Sequence, residues 1–120
     1  MIDFGGATHS SESHSSIINT RQYRCPEVLL QSCNWNESSD LWSIGCILVE
    51  LATGDLLFPI HNDVDHIYMI DRLVARFPKW MTESCDSCYK KYFKPDGSIN
   101  YQYADPEIKD WDAVMNTKSI

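Results

Sequence analysis

Residues 38–54 read Ser-Ser-Asp-Leu-Trp-Ser-Ile-Gly-Cys-Ile-Leu-Val-Glu-Leu-Ala-Thr-Gly, and the fold turns on this stretch. Ser38 or Ser39 can accept hydrogen bonds from the first unpaired amides of a helix. Gly54 suits the left-handed residue just past its end. Between them, Leu41, Trp42, Ile44, Ile47, Leu48, Val49 and Leu51 leave almost no polar face. A surface helix carries one apolar stripe, whereas a helix apolar nearly all round lies inside a protein. Rising about 1.5 Å per residue, this one spans roughly 22 Å, enough to cross a small domain and too short for a bilayer. The stretch therefore predicts a central helix covered on several sides, with Asp40 in its first turn.

Outward from that helix, 120 residues hold one domain at most. A net charge of −7 with 22% charged residues describes an acidic chain. Acidity disfavours direct binding to nucleic acid or an anionic membrane, which need a basic patch. It is compatible with a basic protein partner. No secretory leader opens the sequence and no apolar run reaches membrane-spanning length. Cys25, Cys33, Cys46, Cys85 and Cys88 make an odd number, with Cys46 in the apolar helix. They read as reduced thiols of an intracellular protein and not as a disulfide framework.

Met1-Ile2-Asp3-Phe4-Gly5-Gly6 resembles a strand running into a loop. Residues 7–16 are polar and rich in Ser and His, the composition of a surface loop, and Ser10, Ser11, Ser13, Ser15 and Ser16 could accept phosphate. Ile17-Ile18 is expected to touch a core. Thr20–Glu27 is dense in hydrogen-bonding groups, and Pro26 suits the first position of a short helix over 27–31. Asn62 or Asp63 caps a second helix, about 64–76, with Ile67, Ile70, Leu73 and Val74 at helical spacing. Pro78 stops it and a looser stretch follows from Lys79. Tyr89–Phe93 and Ser98–Tyr103 flank Pro95-Asp96-Gly97, which predicts a β-hairpin: proline presets φ and glycine accepts positive φ. Asp105-Pro106 can open a last helix, about 106–114.

Three motifs carry chemistry through their order. Asp3-Phe4-Gly5 is followed by a loop, then by Thr20-x-x-Tyr23-Arg24-x-Pro26-Glu27, then by Asp40-x-Trp42-Ser43-x-Gly45-Cys46 on the apolar helix. Each string alone is weak; the series resembles the eukaryotic protein kinases. Within them, Asp65-His66-Ile67-Tyr68-Met69-Ile70-Asp71-Arg72 is similar to the Glu-His-Leu-Ala-Met-Met-Glu-Arg signature of the LAMMER (CDC-like) family, Tyr68 for alanine being the one non-conservative departure. The loop Ser13–Arg21 also looks like that family's activation loop, and Tyr92-Phe93 falls where those kinases carry their insert. The DYRK-like group is the neighbouring alternative. The resemblance implies a mainly α fold, part of a kinase C-terminal lobe with a buried central helix and a small β-hairpin insert. It covers the whole of residues 1–120 as one partial kinase domain.

The resemblance also implies roles. Asp3 would bind the Mg²⁺ that bridges ATP phosphates, where a hard carboxylate oxygen suits the ion. Phe4 would pack beneath the N-terminal lobe and Gly5 would let the backbone swing. Ser16 would lie in the activation segment. Thr20 would set its hydroxyl against the catalytic aspartate and lysine, as in kinases that phosphorylate Ser or Thr. Arg24 would brace the activation segment. Glu27 would form a buried ion pair with a later arginine. Asp40 would hydrogen-bond the catalytic-loop backbone, although a helix start favours an acid through its dipole anyway. Trp42 would support the site structurally. Cys25 replaces the usual alanine of Ala-Pro-Glu and is small enough to fit.

The Gly-rich loop, the strand lysine with its glutamate, and the His-Arg-Asp loop that supplies the general base are not in this sequence. The family activity is ATP- and Mg²⁺-dependent Ser/Thr (or dual-specificity) phosphorylation of proteins. Its natural substrates are Arg/Ser-rich splicing proteins, with the nucleus, and the cytoplasm besides, as compartment. The chain alone is expected to be inactive. Without neighbours before Met1 and after Ile120 its apolar helix should expose roughly several hundred Å² and favour association. Two other readings stay open. One is a non-catalytic kinase-derived interaction module. The other is a small zinc domain using Cys85-x-x-Cys88, for which no second Cys-x-x-Cys pair exists.

Overall fold

The computed structural model describes residues 2 and 4–103. Among the described residues four α-helices follow one another: α1 (Pro26–Leu30), α2 (Ser38–Thr53), α3 (Asp63–Leu73) and α4 (Lys79–Ser84). Short 3-10 turns cover Arg21–Tyr23, Ser87–Tyr92 and Tyr101–Tyr103. Among the described residues, β structure is limited to an isolated antiparallel bridge between Phe93 and Ile99. The architecture is mainly α, as the sequence predicts. Asp3 and the expected helix over 106–114 lie outside the described residues.

Local chemistry accounts for most helix ends. Pro26 sits in the first turn of α1, and Gln31 closes it in the left-handed region at φ 52°. Gly54 ends α2 at φ 77°, its N–H reaching the Glu50 carbonyl at 2.8 Å. Asn62 caps α3, its side-chain oxygen accepting from the Asp65 amide at 2.9 Å. At the start of α2 the expected serine cap is not used. Glu37 holds the cap position without a side-chain bond, and the Asn36 Oδ1 accepts from the Ser38 amide at 2.9 Å. Asn36 lies one residue further back, where the incoming chain still turns, so its carboxamide reaches the free amide first.

The burial of α2 corrects the sequence expectation. Its stripe Ser39, Trp42, Ser43, Cys46, Val49 and Glu50 faces the rest of the chain, with Ser39 and Cys46 buried. The opposite stripe is apolar and exposed: Leu41 at 69%, Leu48 at 61% and Leu51 at 77%, with Ile44 and Ile47 beside them. The helix covered on most sides is α3 instead, where Asp65, His66, Ile67, Tyr68, Met69 and Ile70 are all buried. The cause is which elements meet. Among the described residues α1 packs on α3 and α4, while α2 meets chiefly the Arg21–Tyr23 turn. One core unites Leu29, Leu30, Phe58, Ile67, Phe77 and Met81, and α2 gives it Cys46.

Three further expectations change. The stretch after Pro78 is helical, because Met81 and Thr82 turn inward and the Pro78 carbonyl accepts from both their amides. The hairpin shrinks to its turn. Gly97 takes φ 87°, and Lys94 donates to the Ser98 carbonyl at 2.7 Å, so the Pro95-Asp96-Gly97 chemistry works as predicted. Its arms are not strands, since Ser87–Tyr92 and Tyr101–Tyr103 close local 3-10 bonds instead of a ladder. Ile17 is exposed and Ile18 half-buried, and neither joins the core.

Candidate functional site

The segment Thr20–Glu27 is held by bonds to four parts of the fold. Tyr23 donates its hydroxyl to Glu50 of α2 at 2.5 Å, and Ser43 of α2 donates to the Tyr23 carbonyl at 2.8 Å. The bond to Glu50 raises the Tyr23 phenol above its ordinary pKa, because the neighbouring carboxylate resists a second negative charge. Gln22 donates to the Ile60 carbonyl at 3.1 Å. Arg21 pairs with Asp63 at the start of α3. Arg24 turns back along the chain: Nε donates to the Ile18 carbonyl and Nη2 to that of Asn19, each at 3.0 Å. One edge of the guanidinium, Nε with Nη2, is thus spent on the end of the preceding loop. Asn19 takes φ 65°, a left-handed turn that asparagine tolerates.

That loop is also held further out. Trp35 donates its indole N–H to the Ser15 carbonyl at 2.6 Å, and the His14 and Trp35 rings lie 4.3 Å apart. An open groove separates the loop from the α1–α2 connection, lined among others by Phe4, Gly6, Ile17, Trp35, Glu37 and Asp40. Phe4, Gly5, Ser16, Thr20 and Asp40 are exposed. Glu27 is half-buried in the first turn of α1, where it raises the pKa of the Cys25 thiol. Burial is the larger cause, and together they push that thiol up to about 12. Trp42 is half-buried and stacked on Phe58 with centroids 6.1 Å apart, its indole N–H without a partner among the described residues.

His66 also lies against Phe58, fully buried, with ring centroids 5.1 Å apart. Neither ring nitrogen has a hydrogen-bond partner among the described residues. Burial lowers its pKa to about 4, with Arg24 and Arg21 adding to the effect and Asp63 opposing it. The imidazole is therefore neutral near pH 7. Cys85 is buried and donates to the Thr82 carbonyl at 3.1 Å, while Cys88 is exposed. Among the described residues no group of three or more His, Cys, Asp or Glu is placed to hold a metal, which leaves the zinc reading without a ligand set.

A family model described as protein kinase domain matches residues 1–105. The chain belongs to the protein kinase domain family. Its relatives in that family are of the CLK/LAMMER type. The dual specificity protein kinase lkh1 of Schizosaccharomyces pombe is 38% identical over 120 residues, covering 100% of this chain and 17% of that protein. Serine/threonine-protein kinase AFC1 of Arabidopsis thaliana is 42% identical over 101 residues, 84% of this chain and 21% of that protein. Human dual specificity protein kinase CLK1 is 42% identical over 96 residues, 80% and 19% respectively. A crystal structure of a kinase domain matches with a TM-score of 0.82 at 41% identity, covering 100% of this chain and 35% of that one. The chain thus spans about a fifth of the length of these three curated relatives.

In this kinase-family chain the structure brings Phe4 and Asp40 to one groove and sets Thr20 at the start, and the pinned Arg24 at the end, of the Arg21–Tyr23 turn. It does not bring Trp42 or Glu27 to that groove. Arg21, Glu50 and Tyr89 were not singled out by sequence, and Asp63 only as a possible helix cap. The density of polar groups in Thr20–Glu27 signalled that the segment is anchored, but not to what.

Proposed function

We propose that the chain is the substrate-side portion of a LAMMER-type protein kinase that phosphorylates Ser/Thr, with dual specificity as its relatives' names suggest, on Arg/Ser-rich proteins of the nucleus. The observation that supports this most is the ordered series Asp3-Phe4-Gly5, Thr20–Glu27 and Asp40–Cys46 on a fold that matches a kinase domain. ATP and Mg²⁺ belong to the complete domain. Mg²⁺ is commonly held by one or two carboxylates together with substrate phosphates, and a single carboxylate at Asp3 fits one share of such a site. When bound, the metal neutralises charge on the phosphates. The chain's own residues position the acceptor: Thr20 beside it, Arg24 holding the loop that leads to it. A net charge of −7 suits an arginine-rich substrate, speeding encounter by electrostatic complementarity. The exposed apolar face of α2 favours a second reading, a kinase-derived interaction module without catalysis.

The test begins with the reading frame upstream of Met1, where a His-Arg-Asp loop in frame supports catalysis. A chain extended to the complete domain, with the Gly-rich loop, strand lysine and glutamate as well as the His-Arg-Asp loop, should transfer phosphate from ATP to an Arg/Ser-repeat peptide, and Asp3→Asn should lower that rate at least about 100-fold. No transfer by the extended chain would leave the interaction module. Equal rates on a peptide with its arginines replaced would remove the substrate class.

A further inference from the structure

Asp63 receives two groups from opposite directions, one on each carboxylate oxygen. Arg21 Nη1 reaches Oδ1 from a segment 42 residues earlier. Tyr89 Oη donates to Oδ2 at 2.9 Å from a segment 26 residues later. Asp63 is the first residue of α3, where the unpaired amides of the helix start favour a negative charge. α3 is the most buried helix described, so the carboxylate stands on a firm base. Tyr89 is placed as firmly. It lies in the Ser87–Tyr92 turn, whose start is fastened by the Asp86 amide to the Leu30 carbonyl at 3.0 Å, and Asp86 Oδ1 caps it through the Cys88 amide at 3.1 Å. Arg21 opens the 3-10 turn that follows Thr20.

We propose that Asp63 is a positioning residue for the Thr20–Arg24 segment, and that Tyr89 reaches that segment through it. The insert between α4 and Tyr103 thereby helps to set the stance of the residues that face the phosphoacceptor, a consequence that rests on the kinase function proposed above. An isolated, partly exposed ion pair is worth little. Here the side chains of Arg21 and Asp63 are each about one-third exposed, at 35% and 32%, and the second oxygen of Asp63 is already held. A carboxylate with both oxygens engaged loses the freedom to swing away from the guanidinium, which is what makes a pair directional.

Amide hydrogen exchange on the 120-residue chain tests this without ATP or substrate. The amides of Tyr23 and Arg24 close the 3-10 turn on the carbonyls of Thr20 and Arg21. In Asp63→Asn they should exchange roughly three- to tenfold faster, the scale of one charge-assisted bond at a half-exposed site. Tyr89→Phe, which removes one hydroxyl, should move the same two amides in the same direction by less. Asp63→Glu should return them toward the wild-type rate. The amides of Leu29 and Val74, bonded to Cys25 and Ile70, should not change. The proposal is overturned if Tyr89→Phe leaves Tyr23 and Arg24 unmoved, or if Asp63→Glu behaves as Asp63→Asn. It is equally overturned if acceleration is confined to the first turn of α3, or extends to Leu29 and Val74. Loss of the kinase function would show in phosphate transfer and not in these exchange rates, so the two failures are distinct.

Discussion

At the scale of single residues, His66 carries the largest consequence. Its folded pKa of about 4 lies below the ordinary value of 6.5. Between those values the unfolded chain binds a proton that the folded chain refuses, so stability is full above pH 6.5 and declines as pH falls toward 4. A shift of that size corresponds to roughly 3 kcal/mol at the acid end. Urea midpoints measured from pH 7 to pH 4 should fall more steeply for the wild type than for His66→Leu, and parallel slopes would contradict the assignment. The thiols give a second residue-level expectation. Cys33 and Cys88 are exposed, while Cys25, Cys46 and Cys85 are buried. Thiolates are the reactive form, and burial holds Cys25 and Cys46 up to about 12 and about 11. A maleimide should therefore label two sites on the folded chain, Cys33 and Cys88. Labelling of Cys25 at a comparable rate would show that α1 is not packed as described.

At the scale of elements, α2 and α3 exchange the roles their sequences suggest. α2 looks like a core rod, but Leu41, Leu48 and Leu51 face water. α3 carries Asp63, Asp65, Asp71 and Arg72, yet six consecutive residues of it are buried. Substitution separates the two. The double variant Leu48→Glu with Leu51→Lys should shift stability by no more than about 0.5 kcal/mol, as for exposed positions, while lowering self-association. Ile67→Ala on α3 should cost about 2–5 kcal/mol through the cavity it leaves. Thermal or urea unfolding reads both, and a large loss from the α2 pair would mean that its outer face is covered. The helix ends were legible in sequence where one side chain or one φ decides them, as at Pro26, Gly54 and Asn62. The hairpin was not. Its turn is a local event, but its arms needed a partner strand, and 3-10 bonds within Ser87–Tyr92 were the nearer alternative.

At the scale of the whole molecule, the exposed face of α2 bears on both function and behaviour. This chain covers 35% of the matched kinase domain. The exposure of α2 does not count against the family, which the sequence match establishes independently. A contiguous apolar stripe on a small chain promotes association. Sedimentation of the 120-residue chain should show species larger than a monomer, and the Leu48→Glu, Leu51→Lys pair should reduce them. A monomeric wild type with a sharp reversible thermal transition would overturn this. The chain alone should also transfer no phosphate from ATP to an Arg/Ser peptide, since its sequence carries no His-Arg-Asp string to supply a general base.

The sequence by itself determined the family and the positions of α1, α2 and α3, because motif order, helical period and capping residues are written between near neighbours. Only the tertiary structure decided which helix is covered, because burial depends on what packs against a face and not on what the face is made of. It alone also brought Arg21, Asp63 and Tyr89 together, across separations of 42 and 26 residues that no local pattern spans.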